Sequence, residues 1–345
     1  MVRIPMISKG VTMAFLYITE QGAVLKKAGE RLIVEKDDVV LLDTPASKIE
    51  GVLIFGNVQF TTQAVQLMFQ QGVEMGLFTR HGKLLGQITS PLTKNITLRQ
   101  RQYALQADTG FSLSIARIIV KAKMLNGLEL ARDFNHNHPG RCPAPVMDRL
   151  ASMCGHVESV QELQSLLGVE GAAAEVYFTL FANMLLHTFQ FTGRRKRPAT
   201  DPVNALLSLG YTLVYNEIES FLDGMGFDPY LGFYHEPRYG HATLASDLME
   251  EFRAPLVDRL TLSLINNSVL KEDDFFLHQP TGSMYLKDEA RKRYFVEYEH
   301  FVTRPISVTG ENNMTSYRDL FHRQAERLKK TISDGMPYEP YSFKW

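Results

Sequence analysis

The sequence predicts an α+β multidomain fold, in which a small β-rich N-terminal domain with one helix precedes an all-α C-terminal domain. Short β-branched runs separated by turn residues fill roughly the first ninety residues, whereas apolar residues recur at helical spacing from Leu98 onward. The pattern changes at the Pro- and Asn-containing stretch 90–95. We therefore expect the β-rich domain at 1–92, a linker at 93–98, the helical domain at 99–332 and a tail at 333–345.

Length and composition indicate a globular protein with enough material for a buried core. The 345 residues are 45% apolar, and 37 Lys and Arg oppose 38 Asp and Glu. Any nucleic-acid site must therefore be a local basic patch on a nearly neutral surface. Two cysteines are too few for a disulfide framework, and the N-terminus lacks the charged and apolar regions of a secretory leader. No apolar stretch approaches the roughly 18 residues of a membrane span, so we expect a cytoplasmic protein without a membrane role.

The N-terminal domain is expected to be a small sheet with one helix. The helix lies at 62–71, where apolar residues recur at helical spacing before Gly72, a residue suited to ending a helix. The expected strand segments are 11–18, 23–35 with a hairpin turn at 27–30, 39–42, 52–55 and 74–78.

The C-terminal domain is expected to consist of helices. The clearest start is Asp201-Pro202, because Asp suits a helix N-cap and Pro suits the first helical position. The tail is too short to fold alone, and we expect it to pack on the body or on a partner. The expected helices are 98–130 with an interruption near 108–110, 146–167, 170–189, 203–222, 244–270, 287–300 and 315–332.

Glu170 is the first candidate site residue. It is expected to open a helix beside small residues at 171–174, with Tyr177 two turns along on the same face. A carboxylate with open space around it can bind a ligand. The alternative is that Glu170 only complements the positive end of the helix dipole.

His235, Asp247 and Glu250 form the second candidate. His235 ends a Gly- and Pro-rich connection, and the two carboxylates stand at i and i+3 on one helix face. Such a pair indicates either a metal site or a solvated face, and Glu251 and Arg253 could make the second interpretation sufficient. Carboxylates with one imidazole suit Mg²⁺ or Mn²⁺, and such sites activate water or a hydroxyl for attack on a phosphodiester.

Four consecutive cations precede the helix start at Asp201. A basic loop beside a helix N-terminus suits contact with a phosphate backbone, although many basic runs are only solvated loops. In the expected helix 98–130, the cations Arg117, Lys121 and Lys123 stand at helical spacings and could extend the same basic track. The candidate DNA-binding residues of the loop are Arg194, Arg195, Lys196 and Arg197.

A group of Cys and His residues within 136–156 supplies enough ligands for a structural zinc. Its spacing matches no familiar zinc finger, and four ligands would have to converge tetrahedrally. The residues are His136, His138, Cys142, Cys154 and His156.

Six segments of this sequence occur together, in this order, in one known family. They are 51–56, 168–171, 201–211, 226–229, 232–235 and 247–253. The sequence therefore resembles the integrase subunit of CRISPR spacer adaptation, a metal-dependent CRISPR-associated endonuclease that works with a small partner of ferredoxin-like fold. The resemblance covers nearly the whole chain, and several ordered motifs are more specific than any one of them.

The resemblance implies a helical catalytic domain and a homodimer paired through the N-terminal domains. It implies that Glu170, His235 and Glu250 bind Mg²⁺ or Mn²⁺, with Asp247 near the site as a residue that tunes the metal or accepts a proton. Many family members carry Asp where this chain has Glu250. The implied reaction, in antiviral defence, is insertion of foreign DNA as new spacers, by attack of DNA 3′-hydroxyls on both strands at a CRISPR repeat. Tyr177 and the basic loop 194–197 are the expected DNA contacts.

Two other functions are compatible with the residues. A divalent-metal phosphodiesterase or nuclease without an integration role would use the same three ligands, but would leave the basic loop and the ordered motifs unexplained. A non-catalytic dimeric scaffold would use the carboxylates in structural ion pairs. The integrase interpretation explains the most features.

Overall fold

The computed structural model describes residues 14–80, 84–88, 96–187, 189–195, 198–308 and 314–343. The chain divides into two compact units. The first comprises Met1–Leu92 and Arg291–His300, and the second comprises Thr93–Ala290 and Phe301–Trp345. Residues 93–95 of the predicted linker lie outside the described residues, and its last three residues are already helical.

The first unit contains two four-stranded sheets where the sequence predicted one small sheet. Its strands are β1 (Ala14–Ile18), β2 (Val24–Ala28), β3 (Arg31–Lys36), β4 (Val39–Pro45), β5 (Ile49–Phe55), β6 (Gln59–Phe60), β7 (Glu74–Phe78) and β8 (Leu84–Ile88). One sheet has the order β1-β5-β7-β8 and the other β4-β3-β2-β6. The β2–β3 hairpin was predicted, whereas β6 and β8 were missed because each is short or lacks a β-branched run.

The helix α1 (Thr62–Gln70) connects the parallel strands β5 and β7. It begins where the Thr61 side chain accepts a hydrogen bond from the Ala64 N–H, and Gly72 follows it at φ +70°. Apolar side chains from both sheets and α1 share one core. Its fully buried members include Leu16, Ile18, Leu25, Leu32, Val34, Val52 and Leu67.

The second unit is mostly helical. Its first seven helices are α2 (Ile96–Ala107), α3 (Thr109–Asn137), α4 (Ala144–His156), α5 (Leu163–Asn183), α6 (Pro202–Met225), α7 (Thr243–Met249) and α8 (Arg259–Asn266). An antiparallel strand pair follows, β9 (Phe275–His278) with β10 (Ser283–Leu286), so the prediction of an all-α domain is wrong at this hairpin. The last helices are α9 (Asp288–Thr303) and α10 (Tyr317–Asp334).

The middle of α9 belongs to the first unit, although the sequence assigned it to the helical domain. The Phe295 ring lies 5.2 Å from the Tyr17 ring and 4.6 Å from the Phe55 ring, between ring centroids. The Tyr17 hydroxyl also donates to Glu299 at 3.2 Å. These contacts join residues more than two hundred positions apart, so no local pattern could predict them.

Between α7 and α8 the chain stays helical but changes its hydrogen-bonding pattern. A 3₁₀ turn at Glu250–Phe252 is followed by a π-helical turn at Arg253–Asp258. Pro255 explains part of this irregularity, because it has no N–H to donate to the carbonyl of Glu251 four residues earlier. The sequence predicted one continuous helix here.

The helix α5 contradicts two expectations. It begins at Leu163, so Glu170 lies two turns inside the helix and does not open it. Its 21 residues are also long and apolar enough, at mean hydropathy 1.2, to cross a membrane by length and composition, with 28% of that stretch buried. One such helix is weak evidence for a membrane span, because core helices also meet this criterion.

A buried ion pair joins α6 to α10. The guanidinium of Arg318 donates to both carboxylate oxygens of Glu217, at 2.8 and 3.1 Å, and both side chains are almost fully buried. Breaking a buried pair leaves one charge without compensation. We expect Arg318→Leu to lower the free energy of unfolding by about 3–5 kcal/mol in urea titrations.

A matched control is Arg132→Leu, because Arg132 makes an exposed pair with Glu129 within α3. Its loss should cost less than about 1 kcal/mol. Equal losses in the two variants would contradict the assignment of Glu217–Arg318 as a structural pair.

Candidate active site

The loop between α6 and α7 carries His235, and α2 holds this loop in place. The loop follows Gly226, which ends α6 at φ +91°. The buried Gln102 side chain accepts from the Asp228 N–H at 2.9 Å and donates to the carbonyls of Asp228 and Leu231, both at 2.8 Å. The side chain of one α2 residue therefore fixes the loop backbone before His235.

Asp247 fixes the end of the same loop. Its buried carboxylate accepts the backbone N–H groups of Phe233, Tyr234 and His235 at 2.6, 3.0 and 3.0 Å. The same carboxylate lies 2.7 Å from Nδ1 of His235, so that nitrogen carries the proton and Nε2 is left as a potential ligand. A Cβ at Gly232 would stand 2.6 Å from Asp247, so the close approach requires glycine.

Glu170 of α5 and Glu250 of the 3₁₀ turn meet on one cation, Lys123 of α3. The Lys123 ammonium forms an ion pair with Glu170 and lies 2.7 Å from an oxygen of Glu250. The other oxygen of Glu250 lies 3.8 Å from Nε2 of His235, and Arg253 pairs with Glu250 at 2.7 Å. The three predicted ligands thus converge from three parts of the second unit.

The charges around Glu250 determine its ionisation. Burial alone would raise the pKa of Glu250, but Arg253 and Lys123 outweigh burial and hold the pKa well below its usual value. Burial likewise opposes the charged form of Lys123, and the carboxylates of Glu250 and Glu170 raise its pKa above the ordinary value. Glu250 and Lys123 are therefore both charged at neutral pH.

The donor types of this cluster fit Mg²⁺ or Mn²⁺, because two carboxylates already share one cation and the imidazole of His235 lies beside Glu250. The buried hydroxyl of Tyr234 has no hydrogen-bond partner among the residues that the structure describes. Among the described residues, no three His, Cys, Asp or Glu side chains are arranged to hold a metal, and the Lys123 ammonium lies between the two Glu residues. A divalent ion bound here would take the place of that ammonium.

A cavity of about 650 Å³ opens beside this cluster. Lys123, Glu170 and Arg253 line it next to the cluster, and Phe178 and Arg194 also line it. The wall of the cavity therefore includes the cations Lys123, Arg253 and Arg194 and the aromatic ring of Phe178.

Asp258 is a buried carboxyl group in the wall of the cavity. It accepts hydroxyl hydrogen bonds from Tyr177 at 2.6 Å and from Tyr211 at 2.5 Å. The guanidinium groups of Arg253 and Arg194 lie 4.4 and 5.3 Å from the centroid of the Tyr211 ring. Burial raises the pKa of Asp258 to about 6, against the opposing effect of the two hydroxyls.

The predicted basic residues do not form one track. Arg194 turns inward and donates to Asn204 at 2.8 Å and to Ser208 at 3.0 Å. Arg195 is exposed, and Lys196 and Arg197 lie outside the described residues. On α3, Arg117 donates to the Val160 carbonyl and Lys121 pairs with Glu158, whereas Lys123 lies in the acidic cluster.

The structure gives no support for the zinc alternative. Cys142 and Cys154 are buried, and burial raises the pKa of each thiol to about 11. The His156 ring contacts Ser159, and the His138 ring packs on Phe134. In the part of the chain that the structure describes, these side chains do not form a ligand group.

No local sequence pattern indicates the site roles of Lys123, Gln102 and Asp258. Glu170 lies 47 positions from Lys123, and Asp258 lies 47 from Tyr211, so neither contact has a local signal. The i,i+3 spacing of Glu250 and Arg253 was the one visible hint of the charge network.

Comparison with known proteins identifies the chain as a CRISPR-associated endonuclease. The family model for CRISPR-associated protein Cas1 matches residues 16–300. The chain is 33% identical to CRISPR-associated endonuclease Cas1 1 of Chlorobaculum tepidum, over 96% of this chain and 98% of that protein. It is 34% identical to Cas1 3 of Thermus thermophilus, with coverages of 97% and 99%. The chain belongs to the Cas1 family.

Two solved structures share its fold. One is a casposase bound to an integration product, with a TM-score of 0.84, 20% identity and coverage of 96% of this chain and 93% of that chain. The other is a Cas6-RT-Cas1–Cas2 complex, with a TM-score of 0.81 and 25% identity. This second match covers 99% of this chain and 37% of that chain.

Asp258 should make the stability of the second unit depend on pH. An acid whose pKa is raised from 3.8 to about 6 on folding stabilises the fold most when protonated, so this contribution falls as pH rises through that interval. For a shift of this size we expect the free energy of unfolding to lose about 2 kcal/mol between pH 4.5 and pH 7.5 from Asp258. The Asp258→Asn side chain stays neutral, so the free energy of unfolding of this variant should fall less over the same pH range in urea titrations. Identical pH dependence of the two proteins would contradict the shift.

Proposed function

We propose that this Cas1 endonuclease is a divalent-metal-dependent DNA integrase. In this proposal it inserts foreign DNA fragments as new spacers into a CRISPR array, by attack of DNA 3′-hydroxyls on the target strands. The observation that carries the proposal is that Glu170 and Glu250 share one cation, with His235 beside Glu250, next to an open cavity.

The proposed metal ligands are Glu170, His235 and Glu250. When bound, Mg²⁺ or Mn²⁺ would polarise the scissile phosphate and lower the pKa of an attacking water or 3′-hydroxyl. Asp247 keeps the His235 proton on Nδ1, which leaves the Nε2 lone pair directed to the site. This supports an orienting role for Asp247, because its carboxylate is occupied by the loop and the ring.

The chain also offers groups for the DNA backbone. Arg194 and Arg253 line the cavity beside Glu170, and their positive charge would attract a phosphate. Tyr177 lines the same cavity, although its hydroxyl is bonded to Asp258, so we assign it to the cavity wall. The exposed Arg195 would contact DNA outside the cavity. We propose Lys196 and Arg197, which lie outside the described residues, as further DNA contacts from the sequence alone.

We propose three kinds of partner: the foreign fragment and the CRISPR repeat, a second copy of this chain paired through the N-terminal unit, and a small ferredoxin-like adaptation protein. The 25% identical Cas1 fold within a Cas6-RT-Cas1–Cas2 complex supports the last of these. Two copies would supply two active sites, as insertion on two strands requires. We propose that the assembly acts in the cytoplasm.

Strand transfer tests the proposed function directly. A 3′-hydroxyl duplex is incubated with a plasmid bearing a CRISPR repeat, the partner protein and Mn²⁺ or Mg²⁺. We expect joined product from the wild type and at least about a 100-fold loss in His235→Ala, because a ligand is removed. EDTA should abolish the product.

The control is His322→Ala, because His322 is half exposed on α10 and belongs to no part of the cluster. It should retain full strand transfer. Cleavage without joining would favour a metal-dependent phosphodiesterase, and full activity of His235→Ala would refute the proposed site.

Removing the Lys123 ammonium is expected to strengthen metal binding. Its ammonium holds the position between Glu170 and Glu250, so a metal must displace it from a buried ion pair. We expect Lys123→Met to bind Mn²⁺ at least about 10-fold more tightly by isothermal titration calorimetry, since an internal competitor of a few kcal/mol is removed. Without metal, the same variant should unfold at lower temperature because two carboxylates face each other.

Lys121→Met is the matched control on the same helix. Lys121 pairs with exposed Glu158, and its loss should leave both Mn²⁺ affinity and melting temperature nearly unchanged. Weaker Mn²⁺ binding by Lys123→Met than by the wild type would show that the ammonium does not compete with the metal.

A further inference from the structure

The chain after α10 packs back onto the second unit. Gly335 ends α10 at φ +71°, which lets the backbone reverse direction. We call residues Met336–Phe343 the C-terminal strap. Three of its aromatic side chains, Tyr338, Tyr341 and Phe343, are each only 5% exposed. The strap is therefore part of the core of the second unit.

The strap is anchored to Glu251, the residue next to the proposed ligand Glu250. The Glu251 carboxylate is fully buried. It accepts from the Tyr338 hydroxyl at 2.5 Å and from the Tyr341 backbone N–H at 2.7 Å. Gln324 of α10 donates to it at 2.8 Å. Because a buried carboxylate needs such donors, Glu251 and the strap require each other.

Asn126 forms a second attachment. Its amide nitrogen donates to the carbonyl of Glu251 at 2.8 Å and to that of Tyr341 at 3.0 Å. Its oxygen accepts from the Phe343 N–H at 2.8 Å. The Glu251 carbonyl has no helical partner four residues later, because Pro255 stands there without an N–H. Asn126 supplies the missing donor and connects it to the strap.

Stacking completes the arrangement. The Phe252 and Tyr341 rings lie nearly parallel, 5.4 Å apart between centroids. In the 3₁₀ turn, Glu250 thus faces Lys123 and His235, while the next two residues hold the strap. The turn lacks the continuous hydrogen bonding of an α-helix, so its backbone depends on these outside contacts.

We propose that the C-terminal strap positions the metal site, with Tyr338, Tyr341 and Asn126 acting through Glu251 on the backbone of Glu250. This inference rests on the proposed function, because it takes Glu250 to be a metal ligand. Tyr338, Tyr341 and Asn126 are positioning residues, because their hydrogen bonds go to Glu251 and within the strap. With the strap in place, Glu250 is held where it can share a cation with Glu170.

The test measures Mn²⁺ affinity of the full-length protein by isothermal titration calorimetry without DNA, together with thermal unfolding. Tyr338→Phe removes one hydroxyl donor to Glu251. We expect it to weaken Mn²⁺ binding by about 3- to 10-fold, near the lower end of the effect of residues that orient metal ligands. Asn126→Ala should weaken binding similarly, and the double variant should lose less than the product of the two effects, since both act on one backbone segment.

Tyr17→Phe is the matched control, because the Tyr17 hydroxyl also donates to a buried glutamate, Glu299, but in the first unit. It should lower stability without changing Mn²⁺ affinity. Unchanged Mn²⁺ affinity in both Tyr338→Phe and Asn126→Ala, with lowered stability, would overturn the proposal and leave the strap a structural element.

Failure of the proposed function would look different. In that case the wild type would bind no Mn²⁺, or His235→Ala would bind it as well as the wild type. Either result overturns both the metal site and the role of the strap. A different result overturns only the role of the strap: Mn²⁺ binding by the wild type that is lost in His235→Ala but kept in Tyr338→Phe and Asn126→Ala.

Discussion

Two carboxylates that approach each other inside a protein repel unless a cation lies between them, and the second unit is organised around this constraint. Glu250 is 2% exposed, and burying its charge is tolerable only because Lys123 and Arg253 pair with it. Glu170 shares the same ammonium. Because the three charged groups lie on α3, α5 and the 3₁₀ turn, their pairing requires that these segments meet at one point.

The placement of Glu250 also depends on the irregular helical segment between α7 and α8. A regular helix satisfies its own backbone groups, but the 3₁₀ and π turns and Pro255 leave the Glu251 carbonyl for Asn126. Residues from α3 and from the strap therefore supply hydrogen bonds to this segment that a continuous α-helix would make within itself. Irregular turns of this kind recur at functional sites, where precise backbone placement is worth the lost helical hydrogen bonds.

In the cavity wall, cations and aromatic rings likewise stabilise a buried acidic group. Arg194 and Arg253 lie over the Tyr211 ring, and the Tyr211 hydroxyl reaches Asp258. This network keeps positive charge beside a buried acid and next to an open cavity. A basic run in the sequence indicated positive charge, but only the fold turned Arg194 inward and left Arg195 exposed.

Local patterns were sufficient for much of this protein. They predicted the β2–β3 hairpin, the start of α6 at Asp201-Pro202 and most helices, because backbone hydrogen bonding and capping depend on near neighbours. The ordered motifs, which carry the proposed ligands Glu170, His235 and Glu250, indicated the family. Contacts between distant residues were decided by tertiary structure alone. Three features depend on packing between residues 47 or more positions apart, which sequence periodicity does not record. They are the position of Lys123 between two glutamates, the place of residues 291–300 in the first unit and the packing of the strap on Glu251.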